Sequence, residues 1–438
     1  MKSVINLLIL FLVVFVTSCK SDKKESKPNV ILIMVDDMGY ECIGAYGSTS
    51  YNTPNIDALA SNGVLFSDCV SQPLCTPSRV KIMTGMYNYR NYDYFGHLKN
   101  SEYTFGNLMQ DAGYETCIAG KWQLNGLSYK DEINDWNDNT RPQKFGFKEY
   151  CLWQLTKERK DGGRYSDPLI EQNGKILDRN PDDYGPDIFS NYILDFIERK
   201  KDQPFFVYYP MVLVHDPFVP TPDSPEWENR EIRYKNDTAY FKDMVAYTDK
   251  IVGKIMNKLK ALDLEENTLV LFTGDNGTHP TITSNMADNE TIQGAKGNTI
   301  DAGTHVPLIA YWPSKLRTPK VFNDLIEFSD FFPTLGDMVQ AKVNSDGQSF
   351  YPVLTGEEHT PRKTAFVHYD PRWGENVSKH RDQFIRTLDY KLYQDSSFYD
   401  LKNDKLEEAP LLLDVLDEEE LSIKATLERE FEKHPKWN

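Results

Sequence analysis

The sequence lacks the closely paired cysteines of a structural zinc site, any internal repeat and any long low-complexity tract. These absences argue against a zinc-ribbon module, a solenoid and a disordered chain. Positive charge is scarce: 49 Lys and Arg stand against 66 Asp and Glu, a net −17. Such a surface repels a phosphate backbone, so nucleic acid is excluded as a general partner, and an anionic substrate needs a local cationic pocket. Beyond residue 18, no stretch is long and apolar enough to cross a bilayer.

The N-terminus has Met1-Lys2-Ser3, an apolar run from Leu7 to Val16, and then Thr17-Ser18-Cys19. The run is too short to span a membrane and suits a signal-peptide core. Small residues ahead of Cys19 resemble a bacterial lipobox. The expectation is a lipoprotein signal peptide over 1–18, lipidation of Cys19 and a polar tether over 19–28. The protein is then exported to the periplasm or outer-membrane surface and meets membrane only through its lipid anchor. Five further cysteines are present: Cys42, Cys69, Cys75, Cys117 and Cys151. Cys75 is taken up below. The other four have three disulfide connectivities open to them, with a structural or free-thiol role as the default.

What is present is core. Hydrophobic residues make up 40% and aromatic residues 13%, enough for one large domain with a smaller companion. Continuous apolar runs at Val30–Val35, Pro204–Tyr209, Thr268–Phe272 and Val306–Tyr311 read as buried strands. Helical patterns cover Ile56–Asn62, Ser78–Thr84, Tyr103–Gly113 and Phe241–Ala261, with a short one at Ser329–Gly336. This alternation predicts an α/β fold. After about residue 340 the runs shorten, as in Thr364–Tyr369 and Gln383–Arg386, and a last helix opens at Asp417–Glu420. The division expected is 29–340 for a catalytic domain and 341–438 for a C-terminal subdomain.

Two of the strands end in carboxylates: Asp36-Asp37 after the first, and Asp275-Asn276 after Thr268–Phe272. Sites in open α/β sheets form outside the carboxyl ends of strands, where these groups can converge. Three aspartates and an amide oxygen make a hard oxygen set, suited to Ca²⁺ or Mg²⁺. Taken singly, each motif is better explained as a turn. The segment Leu74-Cys75-Thr76-Pro77-Ser78-Arg79 shifts that balance. Pro77 is placed to start a helix, so Cys75 is expected just ahead of a helix N-terminus, where free N–H groups favour an anion.

Cys75-Thr-Pro77-Ser78-Arg79, with Thr84-Gly85 following, resembles the signature of the type I sulfatases of the alkaline phosphatase superfamily. Further blocks occur in the family's order: Asp36-Asp37-Met38-Gly39, Thr53-Pro54-Asn55-Ile56-Asp57, Gly120-Lys121-Trp122, Asp275-Asn276-Gly277, Lys296-Gly297 and Val306-Pro307-Leu308. The resemblance implies a large mixed sheet sandwiched by helices, with a smaller α+β subdomain of short antiparallel strands and a terminal helix. It implies that a maturation enzyme converts Cys75 to formylglycine, and that Asp36, Asp37, Asp275, Asn276 and the modified Cys75 hold Ca²⁺. One hydroxyl of the hydrated aldehyde attacks sulfur and expels the alcohol; loss of the other's proton releases sulfate and restores the aldehyde. By the same resemblance, Arg79 is expected to hold the formylglycine, Lys121 and Lys296 to clamp the sulfate, and His215 to protonate the leaving oxygen.

Two positions depart from the family pattern. Gln123 stands where histidine is frequent and cannot act as a base, so either the diol's proton goes to another group such as Lys121 or His215, or turnover is slower than in members with the histidine. His305 stands where arginine is common. Gln123, His305, His368, Arg372 and Trp373 are the candidate substrate contacts, with Lys379-His380-Arg381 and Arg164-Tyr165 behind them. Cations beside aromatic faces suit a sulfated or uronate-bearing sugar. The expected activity is hydrolysis of sulfate esters on a carbohydrate, from algal polysaccharide or glycosaminoglycan. The alternatives are a phosphonate or phosphodiester hydrolase of the same superfamily and a non-catalytic glycan-binding surface protein.

Overall fold

The computed structural model describes residues 27–316, 320–372 and 381–436. The expected signal peptide, Cys19, Trp373, Lys379 and His380 lie outside the described residues.

The chain contributes β1 (Asn29–Val35), β2 (Val64–Val70), β3 (Glu115–Lys121), β4 (Glu149–Trp153), β5 (Ile170–Gln172), β6 (Lys175–Ile176), β7 (Phe205–Pro210) and β8 (Thr268–Gly274). A small ribbon of β9 (Thr283–Asn285) and β10 (Thr291–Gln293) precedes β11 (His305–Tyr311) and β12 (Lys320–Glu327). All but the ribbon form one sheet in the order β12-β2-β11-β8-β1-β7-β3-β4-β5-β6. β1 lies between β7 and β8, parallel to both, whereas β11 runs antiparallel to β8 and to β2. The sheet is therefore mixed, as expected.

Continuous apolar strands demand cover on both faces, and the packing supplies it. Ile31, Ile33 and Val35 point into one core beneath the helices Gly185–Lys200 and Phe241–Ala261. Val30, Leu32 and Met34 point into a second core, under the helices Cys75–Thr84, Phe105–Asp111 and Phe331–Met338. The helix over Phe241–Ala261 has the bounds its apolar spacing predicts.

One boundary differs in a way that affects the site. The helix expected from Ser78 begins at Cys75, with extended Leu74 as its N-cap, so Pro77 falls in the first turn rather than at its first position. Proline still costs nothing there, because the first-turn N–H groups have no intrahelical acceptor. The short edge strands β5 and β6 were invisible in the sequence pattern. They carry only three and two residues.

The C-terminal region forms a separate antiparallel sheet of β13 (Ala365–Tyr369), β14 (Asp382–Arg386), β15 (Tyr390–Tyr393) and β16 (Phe398–Asp400), followed by the helix Glu418–Phe431. Asp417 and Glu420 close that helix's N-terminus as a reciprocal capping box. Buried ions join this sheet to the main body. Lys81 donates to Glu327 at 2.8 Å and to the Phe366 carbonyl at 3.0 Å. Lys391, paired with Glu407 at 2.8 Å, also binds the Thr299 carbonyl, and Arg386 reaches Asp301 at 2.7 Å. Cys42, Cys69, Cys75, Cys117 and Cys151 are all free and buried. No described helix is long and apolar enough to cross a membrane.

Candidate active site

The parallel strands β1, β3, β7 and β8 end at the same edge of the sheet, so residues distant in sequence meet there. Asp36 and Asp37 follow β1. The Asp36 N–H donates to the Leu213 carbonyl and the Val214 N–H to the Asp36 carbonyl, both at 2.7 Å, which ties the segment bearing His215 to the end of β1. Asp37 turns into the left-handed region at φ 62, which aspartate tolerates better than most residues. At β8, a Cβ on Gly274 would lie 1.9 Å from the Met38 carbonyl, so glycine is required for Asp275 to approach. Gly120, at φ +117, is equally constrained by the Pro210 carbonyl and delivers Lys121 from the end of β3.

The carboxylates converge. The Asp37 N–H donates to Asp275 Oδ1 at 2.9 Å, and Asn276 Nδ2 donates to Asp37 Oδ1 at 2.9 Å. Ligating atoms of Asp36, Cys75 and Asp275 lie within 4.8 Å of one another, as do those of Asp36, Asp37 and His215. Two ammonium groups face them: Lys121 Nζ donates to both Asp36 oxygens at 2.9 and 2.7 Å, and Lys296 Nζ to Asp37 Oδ2 at 2.5 Å. Burial pushes the Asp36 carboxyl up, but Lys121, His215 and Arg164 together outweigh it and hold the group low. Asp37 is likewise held low against its burial by His215 and Lys296. Asp275 is pushed well up, by burial and by the negative charges of Asp36 and Cys75.

That imbalance is the test for a cation. Three buried carboxylates repel one another, and the buried Asn276 Oδ1 has no protein partner among the described residues. A hard divalent ion would satisfy both, and the oxygen donors present fit one.

Cys75 sits 3% exposed at the first position of its helix. Burial raises its thiol, but Lys121 and Arg79 more than reverse this and leave it lowered. Arg79, one turn on, donates from Nε to the Cys75 carbonyl at 3.1 Å and from Nη2 to Gln123 Oε1 at 3.1 Å, and it also binds the Trp122 carbonyl. Gln123 Oε1 is 3.9 Å from Cys75 Sγ. Its carboxamide oxygen is therefore committed to Arg79. His215 Nδ1 lies 2.8 Å from the Asp216 carbonyl and 2.9 Å from its carboxylate, and Nε2 lies 3.0 Å from Lys296 Nζ. Burial pulls the imidazole's pKa down more than Asp37 and Asp36 raise it.

These groups open on a cavity of about 680 Å³ whose lining includes Cys75, Gln123, Arg164, His215, Lys296 and Tyr369. Three expected substrate contacts are not brought there. His305 is clamped between Asp301 Oδ2 at 3.1 Å and the Ser67 carbonyl at 2.8 Å, and stacks on Tyr40. His368 and Arg372 line a different cavity, of about 280 Å³. Arg372 is held there by Asp370 and by the Asp93 carbonyl, both at 2.9 Å. The reason is strand alternation: Tyr369, not its neighbour His368, faces the Cys75 side. Arg164, a lesser candidate from the sequence, is 4% exposed, 3.4 Å from Asp36, and stacked over Trp153. Arg159 and Asp216 also line the main cavity, and no sequence pattern singled out Arg159.

Comparisons with known proteins define the family. The sulfatase family matches residues 28–341, and the C-terminal family described as N-sulphoglucosamine sulphohydrolase matches 296–436. The N-acetylgalactosamine-6-O-sulfatase of Bacteroides thetaiotaomicron is 28% identical over 415 residues, covering 78% of this chain and 79% of that protein. Human arylsulfatase A is 29% identical over 402 residues, covering 84% and 74% respectively. The crystal structure of Ps i-CgsB in complex with k-i-k-neocarrahexaose superimposes with a TM-score of 0.73 at 26% identity, covering 93% of this chain and 92% of that one. The chain belongs to the sulfatase family, within the alkaline phosphatase superfamily. Its activity is that of a sulfuric ester hydrolase.

Proposed function

We propose that this protein hydrolyses sulfate esters on a carbohydrate, with formylglycine formed from Cys75 as nucleophile and a Ca²⁺ ion at its carboxylates. The observation that carries the reading is the meeting of Cys75, Lys121, His215 and Lys296 around Asp36, Asp37 and Asp275 at one sheet edge. The relative named N-acetylgalactosamine-6-O-sulfatase and the neighbour solved in complex with k-i-k-neocarrahexaose support a sulfated sugar as substrate. Conversion of Cys75 requires a formylglycine-generating maturation enzyme as partner. Export as a lipoprotein with Cys19 lipidated, and the division into 29–340 and 341–438, belong to the same proposal.

Asp36, Asp37, Asp275 and Asn276 would hold Ca²⁺, or Mg²⁺ in its place, and the ion would supply positive charge against the ester's oxygens. Formylglycine at position 75 would supply, as its hydrate, the nucleophilic oxygen for the sulfate ester and a second hydroxyl whose deprotonation would free sulfate, at the cost of one water per turnover. Arg79 fixes the nucleophile by gripping the Cys75 carbonyl, and its hold on Gln123 Oε1 leaves the amide nitrogen to donate to a sulfate oxygen. Lys121 and Lys296 neutralise charge developing on the sulfate. His215 is locked through Nδ1 to Asp216, so Nε2 is the atom that carries the proton to the leaving oxygen.

The deciding measurement is the mass of the Cys75-containing peptide from protein matured with its own enzyme, together with sulfate release. A formylglycine mass, and loss of turnover by at least about 10³-fold in Cys75→Ser, are expected. An unmodified thiol in active protein would refute the nucleophile.

A further inference from the structure

Behind the main cavity lies a smaller one, of about 200 Å³, whose lining contains Arg159, Arg164, Arg179 and Arg233 against a single acidic residue, Asp167. In a chain carrying −17 overall, this concentration of guanidinium groups is local and unusual. Arg159 and Arg164 line both cavities, so the two spaces share a wall.

The four arginines are not equally engaged. Arg233 is held by the Trp227 and Pro181 carbonyls and Asp182, and Arg179 is held by Asp167. The other two are poorly matched. Arg164 is 4% exposed, yet its guanidinium has only Asp36 Oδ2, at 3.4 Å, as a hydrogen-bond acceptor among the described residues. Arg159, whose side chain is 53% exposed, has only Asp216 Oδ2, at 3.5 Å, as an acceptor among the described residues. A guanidinium carries five N–H donors, so buried Arg164, with its one long hydrogen bond, and half-exposed Arg159 both keep donors that an anion entering the cavity can take. The ring of Tyr234, 58% exposed, stands at the rim of the same cavity and offers a face for a sugar.

We propose that this arginine cavity is a second anion subsite, so that the preferred substrate is a saccharide bearing another anionic group beside the ester that is cleaved. The inference rests on the sulfatase reading of the Cys75 cavity, because it places that ester next to Arg164. A sulfate and a uronate carboxylate share the required chemistry: oxygen acceptors in a plane or tripod that a guanidinium fork can grip. Arg159 and Arg164 would take the group directly, with Arg179 adding charge behind them.

The test is titration calorimetry on the full chain carrying Cys75→Ser and loaded with Ca²⁺, which reads binding without turnover. Three probes share one monosulfated sugar: N-acetylgalactosamine 6-sulfate, its 4,6-disulfate, and the unsaturated chondroitin 6-sulfate disaccharide, which adds a carboxylate. At least one two-anion probe is expected to bind about tenfold more tightly than the monosulfate. Which of the two does so identifies the second anion. Arg159→Ala and Arg179→Ala should each remove most of that gain. Both side chains are partly exposed, so folding is not at stake. Arg230→Ala, an exposed arginine paired with Asp182 outside the cavity, should leave the gain intact. Equal binding of all three probes, or a gain that survives both arginine variants, overturns the subsite. Sulfate release by the matured wild-type protein is measured separately. Its absence alongside an arginine-dependent gain would refute the reaction and not the subsite.

Discussion

His215 shows how much one side chain's role depends on its neighbours. Its Nδ1 is committed to Asp216, its Nε2 meets Lys296, and Asp37 Oδ2 lies 3.8 Å away. In the proposed reaction a group so placed would serve the leaving oxygen, and its importance would scale with how much that oxygen needs a proton. His215→Ala should therefore reduce turnover of an alkyl or sugar sulfate by about 10²-fold or more, but that of an aryl sulfate by less than about tenfold. The check is kcat/KM on both substrate types; equal losses would remove His215 from the proton transfer. Gln123 is the counterpart at this scale. Its oxygen is spent on Arg79, so it can only position and donate.

His305 acts between elements instead. It joins the middle of β2, at the Ser67 carbonyl, to Asp301 and stacks on Tyr40. Burial opposes its protonation, but the Asp301 carboxylate outweighs burial and raises its pKa above the ordinary value. Asp301, despite its own burial, is held low by His305 and Arg386. The signs then differ. A raised histidine stabilises fully below its unfolded value of about 6.5, and this is lost as pH climbs through the folded value. A depressed aspartate stabilises above its unfolded value of about 3.9, and this is lost as pH falls through the folded value. His305→Asn should thus lower Tm more at pH 5.5 than at pH 9. A gap between variant and wild type that stays constant or widens with pH would contradict the pairing.

At the scale of the molecule, the C-terminal sheet is fastened by charges that the main body buries. Lys391 and Glu407 are both about 1% exposed, and Glu407 also accepts the Asp301 N–H, on the segment that begins with Lys296. Removing one partner leaves the other buried without compensation, a cost of about 3–5 kcal/mol. Glu407→Gln should destabilise by that order in chemical denaturation, and Lys391→Met in the same chain should recover much of it. Additive losses would show that the two groups do not act as a pair. The carboxylate cluster makes a second prediction at this scale. A chelator should lower Tm and activity together, and Ca²⁺ at about 100 times its Kd should return about 2.7 kcal/mol. A protein that stays equally stable when shown by metal analysis to be ion-free would count against the cation.

Much of this was legible before any coordinates. Val30–Val35 and Thr268–Phe272 announce buried parallel strands because they are apolar without alternation, and the carboxylates behind them announce a site because strand ends are where α/β sheets place one. Cys75 and Arg79 are legible together through their resemblance to the sulfatase signature, and the helix Cys75–Thr84 sets them one turn apart. Composition and period are local properties, readable along the chain. What they could not decide was partnership across it. That His305 would be spent on Asp301, that Tyr369 rather than His368 would face Cys75, and that Arg159 and Arg164 would share a wall between two cavities depend on strand order and on which face each side chain takes. Those are set by packing between segments far apart in sequence, which no local pattern encodes.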